Sequence, residues 1–206
     1  GLRLEWLKSA HDCYEHGRLL GRIELGIPGR HNVLNSLAAV AIGRGLDIPF
    51  GVIKNSFAAF RGIERRLQWK GEKDGVWVVD DYAHHPAEIQ ATLQTCKTAG
   101  RRTVVVFQPH RYSRTQDLMQ EISRCFTDAN LLYLVDIYSA GEEPIPGISS
   151  STLAQAISRH RPVIYLSNRE NLLENLKKET EAGDLLLTLG AGNVWKIGEE
   201  FLEKTI

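Results

Sequence analysis

From residue 76 onward, short apolar runs alternate with longer amphipathic stretches. "VWVVD" (76–80), "TVVVFQ" (103–108), "LLYLVDIY" (131–138), "PVIYL" (162–166) and "DLLLTLG" (184–190) are compact and apolar, several of them rich in β-branched residues, and read as strands. Between and after them, "PAEIQATLQTCKTAG" (86–100), "TQDLMQEISRCFTDA" (115–129), "STLAQAISRH" (151–160), "NRENLLENLKKETEA" (168–182) and "NVWKIGEEFLEKTI" (193–206) read as helices. Strands this apolar are buried on both faces. Strand–helix alternation therefore predicts an α/β fold with a parallel sheet, an open Rossmann-like domain of five units.

The first third has a different rhythm. Residues 1–27 alternate in bursts, "LRLEW", "DCYEHG" and "RLLGRIELG", punctuated by Gly17 and Gly26, which predicts a small antiparallel β-meander. Pro28 and Gly29 end it. A helix begins at Asn32 or Asn35 and runs through Ala38, Ala39, Ala41 and Ile42 to Gly43 and Gly45. A second short helix spans about Pro49 to Phe60. The polar, glycine-punctuated "RGIERRLQWKGEKDG" (61–75) is the predicted crossing between two domains, 1–63 and 64–206, with a hairpin turn at "KDG".

Charge and composition narrow the function. The 206 residues carry 25 Lys plus Arg against 25 Asp plus Glu, so no overall footprint for nucleic acid or an anionic membrane exists. No apolar stretch approaches the roughly 18 residues of a membrane span, and the N-terminus lacks a signal-peptide pattern. Cys13, Cys96 and Cys125 are odd in number and widely spaced, without a C-x-x-C pair; they read as thiols in a reducing compartment. The expectation is a cytoplasmic protein.

In an open parallel sheet, ligands bind where the strands end. Asp80, Asp81, Tyr82, His84 and His85 follow the first strand of the regular region. Gln108, His110, Arg111, Tyr112 and Arg114 follow the second, Glu142 and Glu143 the third, and "GAGN" the last. Adjacent histidines such as His84 and His85 point apart in an extended turn and rarely reach one ion, so no metal site is assigned. "LGAGNVWKIG" has Trp195 where a dinucleotide fingerprint needs its third glycine, and is read as a tight strand-to-helix turn. Arg111 and Arg114 offer planar forks for carboxylate or phosphate oxygens, and His84 and His110 titrate near neutrality. That combination suits an amino acid, with arginine for its carboxylate and an imidazole for its amine.

"PGRHNVLNSLAA", "DDYAHHPAEI", "FQPHRYSRT", "SAGEEPIPG" and "LGAGNV" together resemble the Mur ligases of bacterial peptidoglycan synthesis, and among them those that join L-alanine to UDP-N-acetylmuramate. The resemblance runs from about Gly21 to the last helix. Such ligases have a UDP-sugar domain, a central ATP domain with a P-loop, and a C-terminal Rossmann-like domain that brings the amino acid. No G-x-x-x-x-G-K-[ST] occurs in these 206 residues. The resemblance therefore implies the end of a central domain (1–63) plus a whole C-terminal domain (64–206), inactive alone, with ATP as cosubstrate and Mg2+ ligands in the missing half.

The same resemblance implies residue roles. His31, Asn32 and Asn35 would lie beside the adenine, Arg65 or Arg66 at the nucleotide phosphates, and Asp81 at the ribose hydroxyls. Tyr82, His84, His110, Arg111 and Arg114 would form the L-alanine region, with His84 and Arg111 as the catalytic pair. His85 has no assigned task beyond capping or bracing its turn. The alternatives are a non-catalytic nucleotide- or ligand-binding module, the related tripeptide-recycling ligase, whose motif shares the His-His-Pro turn, and a metal-dependent hydrolase built on His84 and His85.

Overall fold

A computed structural model describes residue 6, residues 8–60 and residues 62–203. Residues 1–64 and 65–206 form two compact units, each described by itself. Most of the "LRLEW" burst lies outside the described residues.

In the first unit, strands β1 (Ser9–Glu15) and β2 (Arg18–Leu25) pair antiparallel. His16 and Gly17, at φ 47° and 80°, make a two-residue turn in left-handed backbone conformations, which suits the right-handed twist of the paired strands. The predicted meander is thus a two-stranded hairpin among the described residues. Helices α1 (Arg30–Gly45) and α2 (Phe50–Ala59) pack on it around Cys13, Ile23, Leu25, Val40 and Ile53. Helix α1 starts earlier than expected, after Gly29. Asn32 lies inside its first turn and donates to the Pro28 carbonyl at 2.7 Å rather than capping an amide.

The second unit is a six-stranded sheet in the order β3-β4-β8-β5-β6-β7. Its strands are β3 (Gln68–Lys73), β4 (Val76–Asp81), β5 (Thr103–Phe107), β6 (Leu131–Leu134), β7 (Ile164–Tyr165) and β8 (Leu185–Leu189). All neighbouring pairs are parallel except β3 and β4, which turn through Asp74 and Gly75 at φ 51° and 78°. Half of the expected crossing is therefore an edge strand. Every residue of β4, β5 and β8 is buried, as their apolar composition requires.

Helices α3 (Pro86–Lys97), α4 (Tyr112–Asp117), α5 (Met119–Arg124), α6 (Ser150–Ser158), α7 (Arg169–Glu179) and α8 (Trp195–Glu203) cover the sheet. The single helix expected over 115–129 starts at Tyr112 and breaks at Leu118 (φ −110°, ψ 18°) into α4 and α5. The strand expected over 131–138 ends at Leu134, and its pairing resumes only as a bridge between Tyr138 and His110. Because β8 inserts between β4 and β5, the chain segments leaving β4, β5 and β8 emerge side by side at one edge.

Candidate amino-acid site at the carboxyl edge of the sheet

Asp80 and Asp81 end β4, and successive strand residues face opposite sides of a sheet. Asp80 accepts from Thr188 Oγ1 at 2.7 Å and from Arg65 Nε at 2.9 Å. Asp81 accepts from the Leu67 amide at 2.7 Å, the Ala83 amide at 2.8 Å and Thr92 Oγ1 at 3.2 Å. Burial pushes both carboxyls above their ordinary range, and these hydrogen bonds oppose the rise. The resemblance implies a place for Asp81 beside the ribose. The structure places its carboxylate inside, 4% exposed, with both oxygens engaged by the chain's own donors. Strand alternation from an apolar β4 turns this side chain toward α3, so Asp81 braces the turn.

Arg65 and Arg66 also separate. Arg65 donates from Nη2 to the Gly190 carbonyl at 2.6 Å and from Nη1 to the Gly192 carbonyl at 3.0 Å, besides its bond to Asp80. Its guanidinium carbon lies 4.9 Å from the Tyr82 ring centroid and that of Arg66 lies 5.8 Å away. Arg66 is exposed. Arg65 is consumed in locking the loop after β8, which leaves Arg66 as the arginine that faces solvent.

His84 Nδ1 lies 3.0 Å from the Tyr82 carbonyl oxygen. A carbonyl only accepts, so the proton sits on Nδ1 and the neutral ring keeps its lone pair on Nε2. Glu88 Oε2 accepts from the His84 amide at 3.2 Å and the His85 amide at 3.3 Å, and Pro86 opens α3. His85 is thus the exposed N-cap of α3. Among the described residues, no group of three His, Cys, Asp or Glu could hold a metal ion.

His110 has the complementary arrangement. Arg114 Nη1 lies 2.9 Å from its Nδ1, and a guanidinium only donates, so the neutral ring carries its proton on Nε2. Burial first, then the charges of Arg114, His84 and Arg111, lower its pKa to about 4, so His110 does not titrate near neutrality as the sequence suggests. The two imidazole centroids are 5.7 Å apart, and the Tyr82 ring stands edge-on to His84 at 5.5 Å. One edge therefore presents an imidazole acceptor, an imidazole donor and the half-exposed Arg111 guanidinium. Tyr82, His84, His110, Arg111 and Arg114 are brought together as the sequence expects; His31, Asn32 and Asn35 belong to the first unit, where Asn35 is exposed at the start of α1.

Three residues that frame the site had no role in the sequence reading. Gln108 donates to Asn193 Oδ1 at 3.0 Å and accepts from the Val194 amide at 3.1 Å, joining the loops after β5 and β8. Tyr138 stacks on His110 at 5.7 Å and 11°. Glu142 accepts from Ser113. The glycines of "GAGN" answer to this packing. A Cβ on Gly190 would stand 2.5 Å from the Gln108 carbonyl oxygen, and one on Gly192 2.6 Å from the Tyr138 ring. The signal for these contacts was the glycine spacing, but the partners lie more than 50 residues away.

Comparison with known proteins identifies the family of the chain. The Mur ligase, glutamate ligase domain family matches residues 65–192. UDP-N-acetylmuramate–L-alanine ligase of Geobacter sp. (strain M21) is 50% identical over 205 residues, covering 98% of this chain and 44% of that protein. The enzyme of the same name from Geobacter sulfurreducens is 50% identical over 207 residues, covering 98% and 45%. The chain spans under half the length of these curated relatives. Among solved structures, a UDP-N-acetylmuramate–alanine ligase from Thermotoga maritima superposes with a TM-score of 0.79 at 24% identity, covering 96% of this chain and 43% of that one. With a family model matching well over half of its residues, the chain belongs to the Mur ligase family.

Proposed function

We propose that these residues are the carboxy-terminal part of a bacterial, cytoplasmic ligase that joins L-alanine to UDP-N-acetylmuramate at the expense of ATP, in peptidoglycan synthesis. The observation that carries this reading is the pairing of two imidazoles, His84 and His110, 5.7 Å apart at the carboxyl edge of the sheet, with Arg114 donating to His110 and the charge of Arg111 acting on the same ring. The 50% identity to ligases of that name supports the same assignment.

In this reading, Arg111 and Arg114 hold the carboxylate of L-alanine while His84 Nε2 takes a proton from its ammonium group. An amine attacks only as the neutral species, so the acceptor tautomer of His84 makes it, rather than His110, the base. His110, with Nδ1 occupied by Arg114, donates from Nε2 and orients the substrate. Tyr82 packs beside His84. The amine attacks an acyl phosphate formed from the sugar-linked carboxylate and ATP, and the tetrahedral intermediate expels phosphate; the residues here supply alignment and charge. Residues 1–63 are proposed as the end of the central ATP-binding domain, with His31, Asn32 and Asn35 at the adenine and Arg66 at the phosphates, and residues 64–206 as the amino-acid domain. Magnesium would neutralise the transferring phosphoryl group, with its ligands outside these 206 residues.

The test is steady-state kinetics of the complete ligase. Arg111→Ala removes a charge-assisted hydrogen bond worth about 1.5–3 kcal/mol, so kcat/KM for L-alanine is expected to fall roughly ten- to hundredfold. An unchanged dependence on L-alanine refutes the role of Arg111. The 206-residue chain alone is expected to show no ligase activity.

A further inference from the structure

Arg111 is a poor residue for the place it occupies. It is the N-cap of α4, yet arginine has no acceptor to offer a helix amide, and its φ of 72° lies in the left-handed region. The missing acceptor comes from Glu142, 29 residues after Ser113. Glu142 Oε2 accepts from the Ser113 amide at 3.0 Å, and Oε1 accepts from Ser113 Oγ at 2.7 Å. The same Oε1 lies 3.8 Å from Arg111 Nη1. That separation is an ion pair and not a hydrogen bond, so the carboxylate orients the guanidinium without using up its N–H groups.

The delivery of Glu142 is itself built. Tyr138 is stitched to the neighbouring loop on both sides: its amide donates to the Pro109 carbonyl at 2.9 Å, and its carbonyl accepts from the Arg111 amide at 2.8 Å. Ala140 and Gly141, at φ 51° and 87°, then reverse the chain, closed by the Glu142 amide on the Ser139 carbonyl at 3.1 Å. From the other side, Thr115 Oγ1 donates to the Arg111 carbonyl at 2.8 Å.

We propose that Glu142 is a positioning residue for Arg111: it caps α4 from the loop after β6 and fixes the arginine fork in the site. The proposal rests on the reading of this edge as an amino-acid site. Glu142 itself touches no substrate in this scheme.

The experiment uses the complete ligase and two readouts. In Glu142→Ala, hydrogen exchange of the segment 111–118 is expected to accelerate, and KM for L-alanine to rise about tenfold while KM for ATP stays within twofold. Glu142→Gln keeps an acceptor for Ser113 but loses the charge that faces Arg111, so it is expected to keep the wild-type exchange pattern while KM for L-alanine still rises; it carries the KM test if the alanine variant does not fold. In an Arg111→Ala background, Glu142→Ala is expected to add less than a twofold change, because its effect passes through Arg111. Full additivity in that background, or exchange of 111–118 that does not move, overturns the proposal. A wild-type ligase that does not consume L-alanine refutes the functional reading instead, and the exchange experiment still decides the role of Glu142.

Discussion

Replacing Arg65 with alanine tests the interior of the site most directly. Asp80 is fully buried, and Arg65 is the cation that reaches it, at 2.9 Å with its side chain 20% exposed. Removing one partner of a buried pair leaves a charge in a medium that solvates it badly, at a cost of about 3–5 kcal/mol. Partial exposure of Arg65 admits some water, so the lower end, about 3 kcal/mol, is the working value. For a unit of this size each kcal/mol moves the melting temperature by about 3 °C, so Arg65→Ala is expected to melt about 10 °C lower at pH 7.5. Two controls isolate the mechanism. Burial raises the Asp80 pKa above its ordinary 3.8, so the folded protein binds that proton more tightly than the unfolded chain. Stability from this group is full below the unfolded value and is lost as pH rises through the folded value. Without Arg65 the folded value climbs further, and the deficit of the variant should shrink as pH falls from 7.5 toward 5. Adding Asp80→Asn should likewise recover part of the loss at pH 7.5. Circular dichroism melts of the four proteins decide the matter. A loss below about 1 kcal/mol, or the same loss with and without Asp80, refutes charge compensation as the reason for Arg65.

Three further outcomes follow from particular contacts. Gly190→Ala places a methyl 2.5 Å from the Gln108 carbonyl oxygen at φ 143°, and should destabilise by at least about 2 kcal/mol in a urea titration. Tyr133 is fully buried and its hydroxyl has no hydrogen-bond partner among the described residues; Tyr133→Phe is expected to be neutral or stabilising by up to about 1 kcal/mol, measured by the urea midpoint. The lowered pKa of His110 predicts an NMR titration midpoint near 4, moving up in Arg114→Met; because the folded value is depressed, the associated stability is present above 6.5 and is lost as pH falls toward 4.

The α/β architecture was legible because the parallel strands are predominantly apolar rather than alternating, and β4, β5 and β8 bury every residue. The candidate site was placed by the rule that ligands meet such sheets at strand ends. What could not be read was direction. "DDYAHH" names two carboxylates, but only strand alternation plus the donors on Leu67, Ala83 and Thr92 turns Asp81 inward. "ERR" names two arginines, but only contacts with carbonyls some 125 residues later commit Arg65 and leave Arg66 exposed. The break at Leu118 and the capping of α4 by Glu142 are equally long-range.

Backbone geometry singles out the same edge without any resemblance to a known protein. Among the described residues, seven non-glycine positions have positive φ. His16 and Asp74 sit in hairpin turns and Asp47 just after the end of α1, where such geometry is routine. The other four are Arg65, Leu67, Arg111 and Ala140. Because β3 runs antiparallel to β4, with Gln68 opposite Asp80, residues 65–67 enter at the same edge that β4 leaves. Arg111 and Ala140 follow β5 and β6 at that edge. Each left-handed non-glycine residue costs about 1–2 kcal/mol. The second unit therefore places four left-handed non-glycine residues, the buried carboxylates of Asp80 and Asp81 and the paired imidazoles of His84 and His110 on one edge of one sheet. Local rules broken together and compensated by long-range hydrogen bonds make that edge the candidate surface for chemistry.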